Sequence, residues 1–161
     1  MQDHDIAPIN PLPPVVWLLV LPMIGVELVL SLAEAGMIGG RAAIGWRVAA
    51  LEGFGSVERK NLILIAGGQG KDQDFSGLQS TAAKYLKQAL LLGQDAAQID
   101  RAIKHVCDTQ LVDSMQSAVE LAARVATAGD IVLLSPACAS FDLFENYEDR
   151  GKQFKQAVYN L

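Results

Sequence analysis

A chain of 161 residues, 51% hydrophobic and 19% charged, is the size of one domain and holds enough apolar material to bury a core, which excludes disorder as a description of the whole. Its net charge of -5 excludes a nucleic-acid interface, which needs clustered Lys and Arg to neutralise phosphates. Cys107 and Cys138, with His4 and His105 as the only histidines, match neither a metal-ligand spacing nor a disulfide framework, so no metal site is expected and a reducing, cytoplasmic setting is.

The first sixty residues differ in character from the rest. Asn10-Pro11-Leu12-Pro13-Pro14 cannot be helical throughout, because proline lacks the N–H and restricts its predecessor, so residues 1–14 read as an extended arm. Residues 15–36 read as a hydrophobic helix. Between Val15 and Leu32 only Glu27 is charged, close to the roughly 20 apolar residues that cross a bilayer. Pro22 and Glu27 speak against insertion, and a helix packed on a partner or on the rest of the chain is an equal alternative. The acidic start is the wrong sign for a secretory signal, and Arg41 and Arg47 after the apolar run would keep the remainder of the chain cytoplasmic if the segment spans. Residues 37–60 read as a linker.

From Asn61 onward short apolar runs alternate with amphipathic helical patterns. Leu62-Ile63-Leu64-Ile65-Ala66, ending in Gly67-Gly68, has the look of a buried parallel strand feeding a glycine loop. A helix is expected over 75–86, a strand over 88–92, a helix over 96–106 and a short extra strand at 111–112. A helix over 115–126, a strand over 131–134 and a charged helix over 143–160 complete the series. The order β-α-β-α-(β)-α-β-α predicts a doubly wound, Rossmann-like α/β domain over 61–161, a parallel sheet with helices on both faces.

In such sheets ligands bind beyond the carboxyl ends of the strands, where two loops fall, residues 67–75 and 135–141. The first, Gly67-Gly68-Gln69-Gly70-Lys71, offers backbone N–H groups and a cation. It fails the Walker pattern, because Ile65 stands where glycine and Asp72 where Ser or Thr is needed, and it is not a dinucleotide fingerprint. The second, Ser135-Pro136-Ala137-Cys138-Ala139-Ser140-Phe141-Asp142, brings small residues and hydroxyls to a strand end, with Asp142 placed to cap the next helix. No histidine is placed to activate Ser135 or Ser140, and an isolated Cys138 is more often packing than nucleophile, so no catalytic residue is assigned.

Two resemblances follow. NPLPPVVWLLVLPMIGVELVLSLAEAG with Gly45-Trp46-Arg47 resembles the start of rhomboid-family intramembrane proteases, but that family's Gly-x-Ser-Gly serine and membrane histidine have no counterpart here, so no proteolysis is implied. LILIAGGQGKDQDFSGL, the LLLGQDA turn and above all GDIVLLSPACASFDLFENYEDRGKQF resemble the C-terminal domain of the Mur ligase family, in its D-glutamate-adding branch, over residues 61–161. That family has three domains, for a uridine nucleotide substrate, for ATP and for the incoming amino acid.

The resemblance implies ATP- and Mg-dependent ligation in which the carboxylate of UDP-N-acetylmuramoyl-L-alanine becomes an acyl phosphate and the amine of D-glutamate attacks it, largely by positioning and charge neutralisation. It also implies that this chain is inactive alone, since nucleotide and metal are bound mainly by domains that it lacks. Carried over by motif, Ser140 bonds a carboxylate of D-glutamate, Lys87 supplies a cation to it, and Phe141 and Tyr147 wall the pocket. Lys71 faces ligand phosphates or the amino-acid carboxylate, and Gln69 stands where many relatives have a nucleotide-contacting aspartate. From the residues alone, Lys87 is equally a solvated lysine, Tyr147 equally helix packing, and Glu145, Glu148 and Asp149 a solvated helix face. The rival readings are a membrane-anchored interaction protein, and a composite of two gene pieces joined near residues 53–60.

Overall fold

The computed structural model describes residue 48 and residues 51–68, 74–135 and 143–161. The arm over 1–14 and the hydrophobic helix over 15–36 lie outside the described residues; among those described, no helix is long and apolar enough to cross a membrane.

Four parallel strands form one sheet: β1 Leu62–Gly67, β2 Leu86–Leu92, β3 Asp108–Leu111 and β4 Ile131–Leu134, in the spatial order β3-β2-β1-β4. A short 3-10 turn, Ser76–Leu78, runs into α1, Gln79–Tyr85; α2 is Ala96–Ile103, α3 Met115–Val125 and α4 Tyr147–Tyr159. The expected order of elements is therefore present.

Alternation along the strands divides the interior into two cores. Leu62, Leu64 and Ala66 of β1, with Ala89 and Leu91 of β2, face one side, where they pack with Leu78, Ala82 and Tyr85, and with Ile99 and Ile103 of α2. Ile63 and Ile65, with Leu90, Leu92, Val132 and Leu134, face the other, against Met115, Ala118, Val119 and Ala122 of α3 and Phe154, Ala157 and Val158 of α4. Every residue of β1 is buried, as a central strand covered by helices on both faces must be. The doubly wound expectation holds over these elements.

Several boundaries differ, for physical reasons. Helix α1 ends at Tyr85 and β2 starts at the next residue, Leu86, so the chain passes from helix to strand without a turn, two residues before the expected strand. The third strand starts at Asp108 rather than 111. It lies at the sheet edge and is mostly exposed, so it carries the polar residues Asp-Thr-Gln that an apolar pattern does not reveal. Helix α4 starts at Tyr147, four residues late. Its N-cap is Asn146, whose Oδ1 accepts the Asp149 N–H at 2.8 Å, so Asn146 fills the capping role expected of Asp142.

The linker expectation for 37–60 is corrected at its end. Residues 51–54 are helical, and Leu51 is buried to 1% exposure in the first core, with Val48 and Phe54 packed beside it. Gly55 follows in a tight approach: its N–H donates to the Leu51 carbonyl at 2.8 Å, and an added Cβ would collide with the Tyr85 ring. Ser56 N–H donates to Asn61 Oδ1 at 2.7 Å, and Lys60 Nζ donates to the Val106 carbonyl at 2.9 Å. Residues 53–60, expected as a junction, are thus bonded into the domain. A chain begun at residue 55 would lose a core leucine.

Cys107 is a free thiol, buried below α2, and burial pushes its pKa up to about 11, against a smaller opposing pull from Lys60. The thiolate is the reactive form, so this cysteine is expected to be inert. In a Cys138→Ser background, Ellman's reagent should leave Cys107 unmodified at pH 8 in the folded protein and react within minutes in 6 M guanidinium. Rapid labelling of the folded form would contradict its burial.

Candidate functional site at the carboxyl edge of the sheet

Strands β2 and β3 lie on one side of β1 and β4 on the other, so the chain reverses its direction of winding between β1 and β4. In open parallel sheets that reversal is where ligands bind, because the segments leaving the two strands diverge and open a crevice. Here β1 and β4 are hydrogen-bonded neighbours, Ile65 pairing with Leu134, and the Ser135 N–H donates to the Ile65 carbonyl at 3.1 Å. The two segments singled out in the sequence depart from these two strands.

Gln69 and Lys71 of the first segment, and Ser140 and Phe141 of the second, lie outside the described residues, as does Asp142. The ends that hold the segments are described. The first departs from Gly68 and is recovered at Asp74, whose Oδ1 accepts the Ser76 N–H at 2.9 Å and whose Oδ2 accepts the Ser76 hydroxyl at 2.8 Å, with Phe75 buried beside them. The second departs from Ser135, buried to 3% exposure, and returns at Leu143 ahead of the α4 cap. Tyr147 is the first residue of α4, so the backbone carries it to the same end of the sheet as the second segment's return.

Lys87 is elsewhere, and its expected role beside Ser140 is corrected. The register of β1 and β2 shifts between Leu62, paired with Leu86, and Ile63, paired with Gln88, so Lys87 is the residue passed over. A bulge of this kind re-aims its side chain. The Lys87 ammonium donates to Asp130 Oδ2 at 2.5 Å, to the Val125 carbonyl at 3.0 Å and to Thr127 Oγ1 at 3.3 Å. Asp130 immediately precedes β4, so this cluster occupies the amino edge of the sheet, the end opposite Gly68 and Ser135.

Asp130 is the centre of that cluster. Its side chain is fully buried, and it also accepts from Arg59 Nη1 at 3.0 Å and from the Thr127 N–H and hydroxyl, each at 2.9 Å. Burial pushes the carboxyl pKa up, but the bonds from Lys87 and Thr127 and the Lys87 charge outweigh it and leave the group below its ordinary value. Reasoning from sequence missed Asp130 and Arg59. The only available signal was Gly129-Asp130 ahead of an apolar run, which reads first as a turn.

Among the described residues, the carboxyl edge forms neither a Walker-type phosphate loop nor a metal-ion cluster. Ile65, wholly buried, fills the place of the first glycine in a phosphate-binding loop, and among the described residues no three His, Cys, Asp or Glu side chains converge on a point that could hold an ion.

The architecture is that of a doubly wound α/β domain whose reversal of winding falls between β1 and β4. Residues 48–138 match the Mur ligase family, glutamate ligase domain, and the chain belongs to that family. It is similar to UDP-N-acetylmuramoylalanine–D-glutamate ligase of Pseudomonas syringae pv. tomato, 52% identical over 115 residues, which are 71% of this chain and 26% of that protein. It is also similar to the enzymes of the same name from Coxiella burnetii, at 49% identity over 118 residues, 73% of this chain and 27% of that one, and from Hahella chejuensis, at 45% over 118 residues, 73% and 26%. The chain spans about a quarter of the length of the curated relatives it matches. These findings support the ligase-domain resemblance; they do not extend to the rhomboid resemblance of the first fifty residues.

Proposed function

We infer that residues 48–161 serve as the amino-acid-binding domain of a ligase that joins D-glutamate to UDP-N-acetylmuramoyl-L-alanine in peptidoglycan precursor synthesis, a cytoplasmic reaction. The observation that carries this reading is the departure of the Gly68 and Ser135 segments from neighbouring strands at the reversal of winding. ATP and Mg, bound in the complete enzyme, would supply the activation of the substrate carboxylate. The part played by this chain is to bind and orient the amine donor, and no ligation is expected from it alone.

D-Glutamate is a dicarboxylate, so its site calls for a cation and neutral donors on one rim with an apolar wall behind. In this reading Ser140 donates to a carboxylate, Lys71 supplies the cation, Phe141 and Tyr147 form the wall, and Gln69 lies toward the nucleotide. Lys87 has no part in it, because its ammonium is bound to Asp130 at the other end of the sheet.

An NMR titration of the ¹⁵N-labelled chain with D-glutamate, and separately with L-glutamate, tests the reading. Amide shifts confined to residues 67–75 and 135–147, larger for the D isomer and abolished in Ser140→Ala, are expected. Equal responses to both isomers, or shifts around Lys87 and Asp130 instead, would refute it.

A further inference from the structure

Ser135 has no part in D-glutamate binding as set out above. It directly follows β4, and its N–H donates to the Ile65 carbonyl at 3.1 Å just as the Ile131 N–H donates to the Asn61 carbonyl at 2.8 Å, so the ladder with β1 runs one residue past the strand. Side chains alternate along a strand, and Ile131 and Leu133 lie on the side of the first core, which places Ser135 on that side too. Side-chain bulk on this face falls toward the carboxyl edge. Along β1 it reads Leu62, Leu64, Ala66 and then Gly68; along β2, Ala89, Leu91 and then Gly93; along β4, Leu133 and then Ser135. The opposite face keeps large residues, with Leu92 and Leu134 ending β2 and β4. The small residues lie together: the register that pairs Ile65 with Leu134 sets Ala66 beside Ser135, and the Gly68 N–H donates to the Leu92 carbonyl at 3.1 Å, beside Gly93.

Ser135 is the polar side chain of this group. It is 3% exposed, and among the described residues its hydroxyl neither donates nor accepts a hydrogen bond. A buried hydroxyl without a partner forfeits its bonds to water, and native structures pair nearly all such groups. We propose that the Ser135 hydroxyl is a ligand-binding group, donating to an anionic oxygen, carboxylate or phosphate, of a small molecule seated against the small residues that end β1, β2 and β4 on this face. A charged oxygen is the acceptor that fits, because its hydrogen bond is about twice as strong as a neutral one and offsets the burial of the hydroxyl. Glycine at two of the strand ends lets such a ligand approach the backbone closely. This deepens the D-glutamate reading and rests on it for the carboxylate, since D-glutamate carries two and Ser140 is assigned to one.

Two measurements on the full chain and its Ser135→Ala variant test the proposal. Without ligand, the urea unfolding midpoint of Ser135→Ala should match or exceed that of wild type, since alanine removes an unpaired polar atom and no bond. The probes for binding are D-glutamate and, separately, inorganic phosphate, each followed by ¹⁵N shifts in an NMR titration. The Kd of the probe that wild type binds should weaken about tenfold in Ser135→Ala, the loss of one hydrogen bond to a charged oxygen. Weakening for D-glutamate alone identifies the bound group as a carboxylate, and weakening for phosphate alone as a phosphate.

A lowered midpoint in Ser135→Ala would overturn the proposal, because the hydroxyl would then be bonded within the folded chain. A wild-type chain that binds neither probe would overturn it together with the D-glutamate reading. D-Glutamate binding that Ser135→Ala leaves unchanged would remove the Ser135 site and keep the D-glutamate reading. Phosphate binding that is weakened in Ser135→Ala, in a chain that does not respond to D-glutamate, would keep the site and remove that reading.

Discussion

Gly67→Ala should come close to unfolding the domain, with an expected loss of about 4 kcal/mol. Gly67 closes β1 at φ 147°, and a methyl group there would fall within the Leu92 carbonyl oxygen and against the rest of that peptide. The obstacle is backbone, so no rotamer change relieves it. Either β1 and β2 separate at their carboxyl ends, with loss of the Gly68–Leu92 bond, or Gly67 leaves its conformation. Strain of this kind costs about 1–3 kcal/mol and overpacking about as much again, against a total of about 5–15 kcal/mol for a domain. Urea unfolding followed by circular dichroism measures the loss. Gly53→Ala is the control, because an added Cβ there meets nothing within 4 Å and the residue is helical and exposed, so the change should be neutral or slightly stabilising. Equal stability of Gly67→Ala and wild type would show that the strand ends do not approach as described.

Asp130→Ala is expected to cost about 3 kcal/mol at pH 7. The buried carboxylate joins three otherwise separate pieces: Arg59 on the chain's approach to β1, Lys87 in the β2 bulge and Thr127 in the turn before β4. Its loss falls at the low end of the range for buried ion pairs, since Arg59 and Lys87 retain 48% and 33% side-chain exposure and can be rehydrated. Because the folded-state pKa lies below the ordinary 3.8, the carboxylate's contribution is complete above about pH 4 and is lost as the pH falls through the depressed value. The stability gap between wild type and Asp130→Asn should therefore be widest at neutral pH and narrow toward pH 2. A gap that is constant with pH, or that widens in acid, would mean that the group is not held ionised by its neighbours.

Asp130 also shows what a sequence conceals. Strands β1 and β4 were legible almost to the residue, since a strand buried on both faces is written as an uninterrupted apolar run. Strand β3 was half hidden, because it is mostly exposed and its Asp-Thr-Gln carries no apolar period. Leu51 was lost in a segment read as a linker: one buried leucine on a single helical turn gives periodicity nothing to detect. At the candidate site, the two segments could be found from their positions after apolar runs, since a parallel sheet places all such positions at one edge. Lys87 could not, because a one-residue bulge decides which end and face of the sheet its ammonium reaches, and the signal for that bulge lies in the packing of Leu86 and Ala89 on the same face.

The spatial order of the strands also bears on how the molecule comes into being. Among the described strands β1, which is paired on both sides, is made first, and its partner β4 is made last, after three helical crossovers and the strands β2 and β3. Pairings so distant along the chain are slow to form, because the entropy of closing the intervening length must be overcome before any contact rewards it. On a ribosome β1 and β2 can meet early, while the exposed side of β1 waits for a strand not yet synthesised. The junction of β1 with β4, where the winding reverses, is thus absent from shorter nascent chains and comes into existence with the closing of the sheet.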